Sequence, residues 1–125
     1  MFDGVDTRWA ALSRARAWAH NSLQMNTLFS SRAGLEVAEG GAFHRADWPL
    51  GKVTLDQEAL TVGSLFTTYR LRFVDIDRIS PALFFVEIHH HASGVPESVR
   101  VWGIFLFRRL REAIQRHQLM VEVTD

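Results

Sequence analysis

From Leu35 to Trp102 the apolar residues of this chain recur with a period of two, and that pattern most restricts what it can become. Val53 and Leu55 share one face of "KVTLD", and Leu60 and Val62 share one face of "ALTVGSL". Tyr69, Leu71 and Phe73 alternate with Arg70 and Arg72, and Val99 and Val101 alternate with Arg100. Alternation of this kind marks half-buried antiparallel strands. Counting "AFHRAD", "VDIDRIS" and "LFFVEIHHH", about seven short strands are expected, separated by short turns such as "DQEA" and "ASGVP". Short connections favour sequential antiparallel pairing. In "IFLFRRLREAIQRH" the period changes: Ile104, Phe107, Leu110 and Ile114 form an apolar stripe, with arginines on the other faces. That is an amphipathic helix with a core to cover. Residues 119–123 are expected to form a last extended piece.

The first part of the chain reads differently. Asp6 or Thr7 can cap a helix running to about Phe29. Ala11, Ala15, Trp18, Ser22, Met25 and Phe29 follow each other at steps of four and three, with Trp9 and Leu23 on the adjoining face. Gly34 is a natural helix stop. The expected organisation is an N-terminal helical extension over 1–34 and a β domain with a C-terminal helix over 35–125. Such a helix is about 34 Å long, and leaving Trp9, Trp18, Met25 and Phe29 exposed would forfeit roughly 1.5–3 kcal/mol for each. These four residues are therefore candidates for an interface, with a protein partner or with a second copy.

Composition excludes several chemistries. The chain has 125 residues, enough for one domain with a core, and its 14 basic residues balance its 14 acidic ones. This is no nucleic-acid binder by charge. There is no cysteine, so disulfides, thiol nucleophiles and Cys-ligated zinc are excluded. The opening residues lack the apolar run of a signal peptide, and no stretch reaches the ~18 apolar residues of a membrane span. A cytoplasmic location is expected.

"LEVAEGGAFHRADWPLGKVTLDQEALTV", "YRLRFVDIDRIS" and "VRVWGIFLFRRLREAI" together resemble the bacterial PH/GRAM-like group of the pleckstrin-homology superfold, over residues 35 to about 117. The resemblance implies a mostly β fold with α: a seven-stranded, partly open antiparallel barrel with a C-terminal helix plugging one end. The N-terminal helix is an addition to that plan. It also implies a non-catalytic binding or scaffolding module, expected here to engage protein. Lipid-binding members of the group carry cations around the loop joining the first two strands. The matching stretch is "HRADWPLGK", so His44, Arg45, Trp48 and Lys52 are the candidates for an anionic headgroup.

"EIHHHASG" raises a third possibility. On a strand, Glu87, His89 and His91 share one face at intervals of about 7 Å. Two histidines and a carboxylate in that arrangement suit zinc or iron, which would point to a small cupin-like metalloenzyme. Against it, the strand register places Arg100 opposite Glu87 or His89, and a fixed cation disfavours a dication. A solvated polar face is the preferred reading, with no metal and no cofactor. His90 falls on the apolar face as a satisfied rim histidine. Asp75 and Asp77 are expected to form turns. Ser30, Ser31 and Ser93 lack a nucleophile-elbow context.

Overall fold

The structure is a computed structural model and describes residues 27–65 and 67–124. Among these residues seven strands form one antiparallel sheet: β1 (Phe29–Glu39), β2 (Ala42–Leu55), β3 (Ala59–Gly63), β4 (Thr68–Arg72), β5 (Ile76–Ala82), β6 (Phe85–His90) and β7 (Ser98–Trp102). A single 3-10 turn, Phe73–Asp75, links β4 to β5, and helix α1 (Leu106–Arg116) follows β7. The order across the sheet is β4-β3-β2-β1-β7-β6-β5, so β1 joins the two halves and β4 and β5 are the edges. The sheet curls into a half-barrel capped by α1.

Turn chemistry sets the hairpins. Gly40 and Gly41 both have positive φ, 56° and 95°, as a two-residue hairpin between right-twisted strands requires. Asp56 closes the β2–β3 turn by accepting hydrogen bonds from the main-chain N–H groups of Glu58 (2.7 Å) and Ala59 (2.9 Å). The concave face collects Leu35, Val37, Val53, Leu55, Leu60, Val62, Leu71, Ile79, Val86, Ile88, Val99 and Val101, all buried. Among them Val53, Leu55, Leu60, Val62, Leu71, Val86, Ile88, Val99 and Val101 are positions picked out by alternation.

The helix seals this face with a stripe that shares Leu110 and Ile114 with the expected one, and Phe107 packs partly buried against the core, but the stripe starts at Leu106 instead of Ile104. Leu106, Leu110, Ala113 and Ile114 are buried, whereas Ile104 is 68% exposed. The cause is Phe105, whose φ of 54° lies in the left-handed region. The chain turns there, α1 starts at Leu106, and the apolar spacing runs from Leu106 onward. At the far end Gln118 (φ 52°) ends the helix, with Leu119 N–H donating to the Ile114 carbonyl at 3.0 Å. The tail then reaches the β5 edge: Ile79 N–H donates to Glu122 (2.8 Å) and Thr124 N–H to Ile79 (2.9 Å). Leu119, Val121 and Val123 pack half-buried against the core, so the extended piece exists and covers one sheet edge.

The N-terminal expectations need correction where the described residues reach them. Phe29 is not the end of a helix. It opens β1, packs against the core and carries the Arg109 guanidinium 5.5 Å above its ring. Gly34 is not a helix stop but lies inside β1. The first strand therefore begins ahead of residue 35. Trp9, Trp18 and Met25, with the rest of the expected helix up to residue 26, lie outside the described residues.

The two helix stripes predict different mutant costs. Leu106→Ala should lower the unfolding free energy by about 2–5 kcal/mol in urea titration, as expected for a fully buried leucine. Ile104→Ala should cost at most about 0.5 kcal/mol. Equal losses would contradict the observed stripe.

Candidate functional site

The stretch expected to be the loop between the first two strands is inside β2. Ala33 pairs with Gly51, while Leu35 pairs with Ala46, so β2 takes five steps where β1 takes two. Asp47 to Leu50 bulge out of the ladder. Pro49 lacks an N–H to give to it. At Gly51 a Cβ would stand 2.7 Å from the Ala33 carbonyl oxygen, so only glycine lets β2 return to β1 there. The bulge leaves Trp48 and Leu50 49% and 55% exposed, and Leu50 lies beside Leu65 of the β3–β4 turn, which is 77% exposed.

A groove of about 490 Å³ opens here, with Leu50 and Leu65 on its wall, the cross-strand neighbours Arg32 and Lys52 along it, and Ser64 within it. Among the described residues, Ser64 Oγ is the buried side-chain polar atom with no hydrogen-bond partner. Of the cations expected to hold a headgroup, Lys52 lines this groove, while His44 and Arg45 border an adjoining pocket that shares Leu50, Ser64 and Leu65 with it. Arg45 pairs with Asp47 (2.9 Å) and stacks 5.0 Å over the Trp102 ring. Lys52 stays at the groove, and His44 is exposed on β2.

Arg45 belongs to a second arrangement on the convex face. Gly34 pairs with Trp102, and a Cβ on Gly34 would fall 2.0 Å from the indole. The indole therefore lies flat on bare backbone, with a guanidinium above it. Phe85 meets Trp102 edge-on at 5.4 Å, and Arg100 sits 5.6 Å from the Phe85 ring. Arg100 also pairs with Glu87 at 3.0 Å, in the register that sets the two opposite each other. No sequence pattern announced this stack: a glycine across from a tryptophan is visible only once the register is known.

The three histidines go three ways. His89 Nε2 lies 2.9 Å from Ser80 Oγ and 3.6 Å from Glu87. Ser80 and His89 meet the distance requirement for a nucleophile and its base. The nearby carboxylate, however, sits on the same ring nitrogen as the serine, not on the opposite one where an orienting acid belongs. His90 Nδ1 accepts the Ala92 N–H (3.0 Å), which leaves Nε2 to donate to the Pro96 carbonyl (2.8 Å). That fixes its tautomer and staples the β6–β7 loop. His91 lies beyond β6 and turns to Asp77 (3.0 Å) and Asp75 (3.8 Å). Asp75 and Asp77 thus hold His91 and do not merely form turns.

Glu87, His89 and His91 do not converge. β6 ends at His90, after which strand alternation no longer aligns His91 with Glu87 and His89. Among the described residues no group of three or more His, Asp or Glu side chains is arranged to hold a metal ion. Compared with protein-family models, with curated proteins and with solved structures, the chain gives no match.

The glycine–tryptophan contact is testable by a double-mutant cycle. Gly34→Ala should destabilise by about 1–3 kcal/mol through overpacking. Most of that cost should vanish in a Trp102→Ala background. Additive losses would mean that the indole does not lie on Gly34.

Proposed function

We propose that this chain is a PH-like, non-catalytic binding and scaffolding module that engages a protein partner at the β2 bulge. The strand order and the C-terminal cap are compatible with the PH plan. The observation that carries the reading is Ser64. Its hydroxyl is buried without a partner in a groove flanked by exposed apolar side chains. A buried unpaired hydroxyl costs about 1–3 kcal/mol, and such a group is explained when an incoming partner supplies the missing bond. Leu50 and Leu65 form an apolar centre, Trp48 is exposed on the same bulge, and Arg32 and Lys52 form a charged rim, which is the anatomy of protein interfaces. The headgroup reading of Arg45, Trp48 and Lys52 is weakened because Asp47 and Trp102 already engage Arg45.

No helix of the described residues is long and apolar enough to cross a membrane. A cytoplasmic location is part of this proposal. So is self-association through Trp9, Trp18 and Met25, without Phe29. In light scattering on the whole chain, Trp18→Glu should then return a dimer to the 14.3 kDa species. A wild-type chain that is monomeric at high concentration removes self-association.

Ser64→Ala tests the principal site because stability and binding should move in opposite directions. Unfolding free energy should rise by about 1 kcal/mol. Recovery of the partner by affinity purification from the native cell should fall for Ser64→Ala and be lost for Trp48→Ala. A loss of stability in Ser64→Ala, or equal recovery by wild type and both variants, would contradict the proposal.

A further inference from the structure

A second surface lies at the opposite end of β7 from the β6–β7 loop. Leu83 and Phe84 form the tip of the β5–β6 hairpin and are 92% and 78% exposed. Ile104 and Phe105, in the turn before α1, are 68% and 71% exposed. The two turns are neighbours: the β6–β7 register pairs Val86 with Val101, and Phe85 touches Trp102, so the next step brings Phe84 level with Gly103. Four large apolar side chains therefore project from one corner. Phe105 is held outward by a left-handed backbone that a phenylalanine rarely adopts. Apolar clusters of this kind on a protein surface mark contact sites.

Arginines dominate the charge around this corner, although Arg100 is paired with Glu87 at 3.0 Å. Residues 80–86 carry no charge, and residues 98–111 hold four arginines and no acid, in a chain whose net charge is zero. Arg108 and Arg109 follow Phe105 by one helical turn, and the Arg32 main chain borders Gly103. The nearest acid on α1 is Glu112, paired with Arg108 at 3.2 Å. We propose that this corner docks on an anionic lipid bilayer: Leu83, Phe84, Ile104 and Phe105 enter the interface, and the arginines lie against the headgroups. This surface adjoins the groove at Arg32 but is built from other turns, and it goes beyond the protein-binding reading. A second copy is disfavoured, since the same arginines would face each other across a two-fold contact. A protein helix needs a groove, whereas a side chain 92% exposed projects from the surface and does not line one.

The absence of cysteine allows a direct test on the full chain. Leu83→Cys, labelled with an environment-sensitive dye, is mixed with phosphatidylcholine vesicles with or without phosphatidylglycerol. Gln57→Cys, at the β2–β3 turn, carries the same dye as a control. The expected result is co-sedimentation with the anionic vesicles, weakened by salt, with a blue shift at residue 83 and none at residue 57. Phe105→Gly should fold, since glycine accepts that backbone, and should bind about tenfold more weakly. The proposal is overturned by absence of co-sedimentation with anionic vesicles, by binding with no shift at residue 83, or by unchanged affinity in Phe105→Gly. A dye at residue 83 that is already shifted without vesicles would show the corner covered by protein, and would overturn it as well.

Discussion

The contact between α1 and the concave face of the sheet is the constraint on which the rest depends. A curled sheet with two unpaired edges has an apolar interior and no closure of its own. Leu106, Leu110, Ala113 and Ile114 supply the closure, and α1 packs against β1 and β6, one strand from the joint of the sheet and one toward its β5 edge. Helix position in turn decides where the tail goes. Because Gln118 turns the chain back, Val123 reaches Ile79 and covers the β5 edge. The β4 edge is protected differently, by exposed Arg70 and Arg72, whose charges discourage pairing with another strand.

With the concave side occupied, the exposed features of the described residues are confined to the convex side, the bulge and the turns. Three of them arise from positions where regular structure fails. The β2 bulge follows from Pro49 and Gly51, the projecting corner from the left-handed Phe105, and the separated histidines from the end of β6. The convex stack around Trp102 has a different character: its groups are half-buried and mutually satisfied, so it rigidifies the middle of the sheet. Ion pairs on this face, such as Glu87–Arg100 with both side chains partly in water, add at most about 1 kcal/mol each.

Alternation made the core legible before any coordinates. Val53, Leu55, Leu60, Val62, Val86, Ile88, Val99 and Val101 point inward as their spacing requires, because a period of two leaves few alternatives once one face is apolar. The same parity left two registers, with Arg100 opposite Glu87 or His89, and the structure takes the first. What stayed hidden has physical reasons. Gly34 reads equally well as a helix stop or as the floor beneath an aromatic ring, and a single sequence does not distinguish them. Proline and glycine at 49 and 51 mark a loop or a bulge with the same letters. Ile104 fits a helical stripe by spacing alone, and only the unusual backbone of Phe105 removes it. The unpartnered Ser64 hydroxyl leaves no trace in sequence, since its significance lies in what fails to surround it.

Native-state hydrogen exchange on the whole chain addresses the central claim, that helix and sheet stand or fall together. If α1 seals the core, the amides of Leu110 and Ile114 exchange with the same opening free energy as those of Leu35, Val53 and Val99, and that value matches global unfolding. If α1 exchanges orders of magnitude faster while the sheet stays protected, the helix is an appendage, and the account of how this fold is closed is wrong.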